Sequence, residues 1–263
     1  MLAVIGAING VAPVAAPVIG GLLTGSVGWQ GIFMILLFIG ILLGIGCIRF
    51  KESLPAEKRS KTGVWATFRS FGIIVHNPRY MLYVFQLAFA QGILFAYIAS
   101  SPFIIQQHYG FSPFAFSICF AVNAVAIGVA AALSVKFRRT ENGTLTGCVG
   151  MLVFAVLQMA ALYSGCGFWT YELLMFALLF MMGLTFTAST TLAMDCERRY
   201  AGAASALLGA LCFASGGIVS PLVGLGDILI STGVTFVICA VCSLLCALWA
   251  VKRTGPKVAL CRI

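Results

Sequence analysis

Charged residues are scarce in this 263-residue sequence. Asp, Glu, Lys and Arg together make up 9% of the chain, whereas hydrophobic residues make up 61%. A soluble domain of this length needs roughly 25% charged residues to cover its surface. The composition therefore excludes a soluble globular protein and predicts a chain that is surrounded by lipid.

Charged residues are also missing from long continuous stretches. None occurs in residues 1–48 or 80–135, and residues 200–251 contain only Asp227. A bilayer core about 30 Å thick is crossed by about 20 helical residues, so each stretch is long enough for two spans. Clusters of Gly, Pro, Ser and Asp near the middle of each stretch supply the turns. Because the apolar runs show no two-residue alternation, they predict helices rather than barrel strands.

We therefore expect an all-α integral membrane protein with about eight transmembrane helices. All 16 Lys and Arg residues fall in three loops and near the C-terminus, and none lies in the four alternate loops. The positive-inside rule then places both termini in the cytoplasm. The net charge of +9 is a signal of topology, and we expect no nucleic-acid binding. The predicted spans are residues 2–23, 31–49, 79–104, 113–135, 145–164, 168–192, 203–224 and 228–250.

Residues that usually build metal or catalytic centres are also rare. His occurs only at positions 76 and 108, and the ten Cys residues are scattered through apolar spans, where Cys behaves as a small hydrophobic residue. Cys239, Cys242 and Cys246 form a stripe on one helix, and such spacing can mark metal or redox sites. No His or carboxylate accompanies them, so helix packing is favoured. We expect no catalytic residues, no metal site and no cofactor.

The only long polar segment divides the chain unequally. We expect two helices in residues 1–50, a basic cytoplasmic linker in 51–78, six helices in 79–251 and a cytoplasmic tail in 252–263. Apolar residues at helical spacing between 64 and 75 predict either a short amphipathic helix at the membrane surface or an ordinary linker. Six-helix units joined by a long basic loop are typical of major-facilitator transporters. Residue 1 leads directly into a span, so we expect a further portion upstream.

The first predicted span contains the segment Ala12-Pro-Val-Ala-Ala-Pro-Val-Ile-Gly-Gly21. Pro13 and Pro17 remove backbone donors and bend a helix, and small residues four apart allow another helix to approach closely. The segment resembles the antiporter motif in the fifth helix of major-facilitator proton antiporters. Pro17, Gly20 and Gly21 match its G-P-x-x-G-G ending, although Ala stands where that pattern begins with Gly.

The wider form of this segment is similar to the Bcr/CflA drug-resistance family, typified by bicyclomycin exporters. This resemblance implies a bacterial inner-membrane protein that exports hydrophobic or amphipathic drugs in exchange for protons, between two six-helix units. It also implies that the family's first four helices, with their proton-coupling residues, are absent, so the chain alone is expected to be inactive. Further matches to the family lie at residues 28–33, 51–55, 95–103, 109–113, 120–123 and 201–209.

Polar and aromatic side chains within the spans are candidates for a substrate cavity, because polar groups at this depth are costly. Gln86, Gln91 and Tyr97 lie along the third span and Asn123 lies midway along the fourth, where each amide could bond a polar substrate edge. The alternative for each amide is a hydrogen bond between helices. Phe95 is a candidate aromatic contact, with packing as its alternative. Ser100-Ser101-Pro102 is expected to end the third span.

Three acidic residues lie in or beside spans. Glu172 and Asp227 are placed near outer helix ends, and Asp195 near a cytoplasmic end, so solvated positions are favoured over proton coupling. Two other functions stay open: a non-transporting membrane remnant or scaffold, and a membrane-embedded enzyme, although no cluster of His, acidic or basic residues supports the latter. Membrane lipids, protons and a small drug-like substrate are the expected partners. The sequence does not indicate an oligomeric state.

Overall fold

The computed structural model describes residues 2–50, 64–137 and 139–253, and within them every side chain except those of 2–18, 22, 24 and 64–68. All regular elements in these ranges are helices. Seven are long and apolar enough to cross a membrane, which confirms an all-α integral membrane protein. The helices are α1 (Leu2–Arg49), α2 (Val64–Val75), α3 (Pro78–Pro102), α4 (Pro113–Ser134), α5 (Thr140–Tyr163), α6 (Phe168–Cys196), α7 (Ala201–Val223) and α8 (Ile228–Lys252).

Helix α1 contains the first two predicted spans in one continuous run. It is interrupted at Gly28, whose backbone has φ 65° and ψ 178°, a conformation that glycine adopts without the steric cost of a Cβ. The predicted break between residues 23 and 31 is therefore a kink rather than a loop. The part from Gly25 to Arg49 is a candidate span, whereas most side chains of 2–23 lie outside the described residues.

Helices α3 to α8 form a compact bundle. Helix α3 packs against α6, α7 and α8, α4 packs against α6, and α5 packs against both α6 and α8. Glycines let the helix backbones approach closely. A Cβ on Gly183 would lie 2.5 Å from the backbone oxygen of Ile127, and one on Gly233 would lie 3.1 Å from the Cα of Met159. These contacts fix α6 on α4 and α8 on α5.

Side-chain caps and prolines set where several helices begin. Asn77 caps α3 by accepting from the backbone N–H groups of residues 79 and 80, and Pro78 follows it. Ser112 caps α4 in the same manner before Pro113. Asp227 caps α8 and is exposed, which confirms its predicted position at a helix end.

Helix α3 ends as an α-helix at Pro102, as expected, but the membrane span does not end there. The helix continues into a π-helical turn, Phe103–His108, and the backbone N–H of Tyr109 donates to the carbonyl of Ile104 at 3.1 Å. Pro102 lacks an N–H donor, and the chain keeps its direction by widening the helix instead of breaking it. The span therefore runs from Pro78 to His108.

The two ends of the bundle differ in chemistry. The described Lys and Arg residues between 79 and 253 lie at the start of α3 or at the corresponding ends of the helices that follow. These cations therefore share one end of the bundle. Asn77 Nδ2 donates to Glu197 Oε1 at 2.6 Å there, and Arg198 pairs with Asp195 at 2.8 Å, as expected for a solvated acid. The opposite end is rich in aromatic rings: Tyr109, Phe111, Phe168 and Tyr171.

Candidate functional site

Three helices of the bundle bring a phenol, an amide and a carboxylate together. The Nδ2 group of Asn123 on α4 donates to the hydroxyl oxygen of Tyr97 on α3 at 3.0 Å. It also donates to Oε1 of Glu172 on α6 at 2.8 Å. An amide NH₂ carries two hydrogens, so both donors of Asn123 are used. Asn123 and Tyr97 are each 1% exposed, and we call these three residues the polar cluster.

The polar cluster retains unused hydrogen-bonding groups. Asn123 Oδ1 and Glu172 Oε2 are buried without a hydrogen-bond partner among the described residues. The hydroxyl of Tyr171, a fully buried side chain next to Glu172 in sequence, is in the same situation. A buried polar atom without a partner costs about 1–3 kcal/mol, so the arrangement is costly unless something else occupies it.

Aromatic packing fixes the position of the phenol. The ring of Tyr97 stacks on the ring of Phe120, with centroids 5.4 Å apart and an interplanar angle of 19°. Phe120 is itself supported by Phe116 at 5.9 Å. Both phenylalanines lie on α4, the helix that carries Asn123. The same helix therefore holds the ring of Tyr97 and hydrogen-bonds its hydroxyl.

An open apolar groove runs along the seam between α4 and α6. Its volume is about 290 Å³. Phe176 lies one helical turn after Glu172, so the groove and the polar cluster follow the same seam. Apolar contacts next to a few convergent polar groups are the usual composition of a small-molecule site. The residues that line the groove are Ile118, Ala121, Val122, Val125 and Phe176.

Gln86 lies apart from this site. It is fully buried, and its Nε2 group donates to Ser243 Oγ at 3.2 Å and to Cys148 Sγ at 3.5 Å. The hydroxyl of Ser243 donates in return to the backbone oxygen of Gln86 at 3.1 Å. These bonds connect α3 with α5 and α8, which is the helix-to-helix alternative weighed for this amide. A contribution of Gln86 to a substrate cavity stays a prediction.

Gln91 and Phe95 are also separate from the polar cluster. Gln91 is half-buried, and its Oε1 atom is buried without a partner among the described residues. The ring of Phe95 lies against α7, 5.9 Å from the ring of Phe213 and within 2.5 Å of where a Cβ on Gly216 would stand. Of the five candidates, the structure thus joins Tyr97 and Asn123 directly. The roles of Gln91 and Phe95 in binding stay predictions.

The helix with the antiporter-type motif packs against α4. A Cβ on Gly21 would collide with Ser117 Oγ, so this glycine allows the close approach of α1 to α4. Gly20 lies beside it on α1, whereas the side chains of Pro13 and Pro17 lie outside the described residues. The motif is therefore positioned next to the helix that carries Asn123, and its part in transport stays a prediction.

Glu172 is the member of the candidate site that the sequence analysis placed elsewhere. It was assigned a solvated helix end, but one carboxylate oxygen is buried and the other accepts from Asn123. A signal was available in the preceding residues: Phe168 and Trp169 are typical of the membrane interface, so an acid one turn further along lies deeper. A second missed group is Gln158 on α5, which is fully buried with both amide atoms unpaired among the described residues.

The fold and the site together define a multi-pass helical membrane protein with a partly unsatisfied polar cluster beside an apolar groove. Residues 1–221 match the family model of the Major Facilitator Superfamily. The chain belongs to this superfamily, whose members include transporters, and this finding argues against a membrane-embedded enzyme.

Two curated relatives are similar to this chain. The chain is 36% identical over 227 residues to the uncharacterized MFS-type transporter YdgK of Bacillus subtilis, covering 84% of this chain and 56% of that protein. It is 28% identical over 226 residues to a bicyclomycin resistance protein homolog of Haemophilus influenzae, covering 81% and 54%. The chain spans about half the length of the curated relatives it matches. The superfamily resemblance is confirmed, and the narrower Bcr/CflA resemblance is weakly supported by the second relative.

Proposed function

We propose that this protein acts as a drug:proton antiporter that exports hydrophobic or amphipathic compounds across the bacterial inner membrane. Superfamily membership and the bicyclomycin resistance homolog support this assignment. In this proposal residues 1–50 are the last two helices of the N-terminal six-helix unit and 79–251 form the C-terminal unit. Residues 51–78 are the cytoplasmic linker, and 252–263 are the tail. The two units rock around a central site to give alternating access.

The observation that carries the proposal is the position of the polar cluster at the α4–α6 seam beside the apolar groove. The groove is lined by apolar side chains and suits the hydrophobic body of a compound. The acceptors Asn123 Oδ1 and Glu172 Oε2 are buried, so a polar or cationic edge of the same compound would reach them when α4 and α6 move apart. An amphipathic molecule would thus satisfy both surfaces at once, whereas a fully polar solute would leave the groove without contacts.

Dye transport in everted membrane vesicles tests this function. Vesicles are prepared from a strain without its own drug exporters that expresses the gene with its upstream DNA, and they are energised to acidify their interior. We expect a fluorescent cationic dye, ethidium, to accumulate inside the vesicles and to leave when nigericin collapses the pH gradient. Vesicles from cells with an empty vector provide the baseline.

The same assay separates the exporter from a membrane remnant. We expect the 263-residue chain expressed alone to give no accumulation above the baseline, because alternating access needs two units. Dye accumulation by the 263-residue chain alone would show that the predicted inactivity is wrong. If the gene with its upstream DNA accumulates no dye from a panel of cationic and neutral amphipathic compounds, the exporter assignment is wrong and a remnant or scaffold is favoured.

A further inference from the structure

The Glu172 side chain is half-buried, and its Oε2 atom is fully buried. Among the described residues, the titratable side chains within electrostatic range of it are Tyr97 on α3, Cys119 on α4 and Tyr171 on its own helix. Tyr109, which follows the π-helical turn, is a titratable neighbour of Tyr171. The Lys and Arg residues described in this bundle lie at the opposite end. Glu172 therefore has no cationic partner among the described residues.

A charge in such a place is expensive to maintain. Ionised side chains within the membrane region are stable when they pair with a cation, reach water or become neutral. The single N–H···O bond from Asn123 offsets part of this cost but leaves Glu172 Oε2 without a donor. Binding a proton on Oε2 removes the charge and turns an unused acceptor into a donor.

A proton fits the site better than a metal ion does. Hard cations such as Ca²⁺ take six or more oxygen ligands, usually including several carboxylates. The described residues contain no group of three or more His, Cys, Asp or Glu that could hold a metal ion. One carboxylate, one amide and two phenols make a poor metal site, but a carboxyl group held by neutral hydrogen-bonding partners is a suitable proton carrier.

We propose that Glu172 is a proton-binding residue of this six-helix unit, and that Asn123 and Tyr97 position its carboxyl group. The inference deepens the proposed function, on which its link to transport rests, because it assigns the exchanged proton to a residue of this chain. This assignment replaces the expectation from the sequence that the proton-coupling carboxylates lie only in an upstream portion.

Protonation of Glu172 would change how three helices are held together. A hydrogen bond from an amide to a carboxylate is roughly twice as strong as one to a neutral carboxyl. The Asn123–Glu172 bond joins α4 to α6, and the Asn123–Tyr97 bond joins α4 to α3. Gaining a proton at Glu172 therefore loosens α4 from α6 at the seam that also forms the groove. This connects proton binding to the shape of the candidate substrate site.

Labelling with dicyclohexylcarbodiimide tests the proposal without any transport. The reagent modifies protonated carboxyl groups in apolar surroundings, and modified peptides of the purified full chain in detergent are quantified by mass spectrometry. We expect Glu172 to be labelled at about pH 5 and at least about tenfold less at about pH 9, because the reagent reacts with the protonated carboxyl group and burial without a cation favours that form at the lower pH. The exposed carboxylates Asp195 and Asp227 in the same sample serve as internal controls and are expected to stay unlabelled at both values.

Two variants test whether the label is on Glu172. Glu172→Gln, which keeps the shape and the bond from Asn123, is expected to lose the label, whereas Glu197→Gln at the opposite end is expected to keep it. No labelling of Glu172 at either pH, or equal labelling at both, would overturn the proposal, since the carboxyl would then not exchange a proton. Labelling that depends on pH, together with no dye accumulation by the gene expressed with its upstream DNA, would refute the exporter function and leave the proton site standing.

Discussion

Two buried amides on neighbouring helices behave differently in this protein. Gln86 and Asn123 are both almost fully buried, and each joins three helices by hydrogen bonds. The partners of Gln86 are a hydroxyl and a thiol, which stay neutral. The partners of Asn123 are a phenol and a carboxylate, so this cluster can change its charge. The hydrogen bonds of Gln86 are therefore suited to hold helices together, and those of Asn123 are suited to respond to a ligand.

The hydrogen bonds of Gln86 and Asn123 also differ in strength, because one partner of Asn123 can carry a charge. Neutral side-chain hydrogen bonds between membrane helices contribute about 0.6 kcal/mol on average. A hydrogen bond to a charged group contributes about 1.5–3 kcal/mol, and breaking it leaves a buried charge without a donor. Substitutions in the polar cluster should therefore affect transport strongly, and substitutions of Gln86 and its partners should affect mainly stability. Four predictions test this difference.

The largest effect, on thermal stability, is expected from Gly183→Val, which disrupts the α4–α6 contact that assembles the polar cluster. The added Cβ would lie 2.5 Å from the backbone oxygen of Ile127 and 2.9 Å from Ala130 Cβ, so α6 must move away from α4. Overpacking of this kind costs about 3 kcal/mol, which corresponds to a melting temperature lower by about 10 °C. Thermal unfolding of the purified protein in detergent measures it.

Gly128→Val is the matched control for that substitution. Gly128 is also a helical glycine, on α4, but a Cβ there would meet no atom within 4 Å. We expect its melting temperature to stay within about 2 °C of the parent protein, because only helix propensity changes. Equal melting of the two valine variants would mean that the close α4–α6 approach does not stabilise the bundle.

The second largest effect is expected from Asn123→Leu. The change removes both N–H donors, so Glu172 Oε1 and the Tyr97 hydroxyl lose their bonds to α4. This and the dye measurements below use vesicles from the gene expressed with its upstream DNA. A loss of about 1.5–3 kcal/mol corresponds to a decrease of about tenfold or more in the rate of dye accumulation. Carbodiimide labelling of Glu172 should also persist to higher pH, because no donor then favours the charged form. Unchanged transport and labelling would show that the amide does not position the carboxyl group.

A smaller and different effect is expected from Gln86→Leu. It removes the side-chain bonds to Ser243 and Cys148 but keeps the bond from the Ser243 hydroxyl to the backbone oxygen of residue 86. We expect the melting temperature to fall by about 3 °C, equivalent to about 1 kcal/mol. Dye accumulation should stay within about twofold of the parent protein. A tenfold loss of transport without a change in melting would place Gln86 in the substrate cavity after all.

The sequence predicted the helices well because charge-free runs and turn residues follow directly from the thickness of the bilayer. Span α5 was expected at 145–164 and is Thr140–Tyr163, and α8 was expected at 228–250 and is Ile228–Lys252. The exceptions are places where local chemistry decides the path. Gly28 produces a kink instead of a loop, and the segment around Pro102 widens into a π-helical turn. Neither outcome is visible in hydropathy.

The site was harder to predict from sequence because its members are far apart in the chain. Tyr97 and Asn123 were both candidates, but their contact depends on how α3 and α4 are rotated. The same rotation directs Gln86 towards α8 and the ring of Phe95 towards α7. Glu172 was assigned by its distance from the helix end alone. A long side chain one turn into a helix can reach either the interface or the interior, and packing decides which.

The smallest effect is expected from Tyr97→Phe, which distinguishes the phenol from the amide within one cluster. The ring keeps its stacking on Phe120, and Asn123 keeps its stronger bond to the Glu172 carboxylate. What is lost is the neutral acceptor of the second Asn123 hydrogen, at 3.0 Å, and leaving that buried donor unpaired costs about 1 kcal/mol, the low end for such a group. We expect dye accumulation to fall by about twofold to fivefold with no change in melting temperature beyond about 2 °C. A loss as large as that of Asn123→Leu would show that the Tyr97 hydroxyl contacts the proton or the dye directly, because its bond to Asn123 alone is too weak to produce that loss.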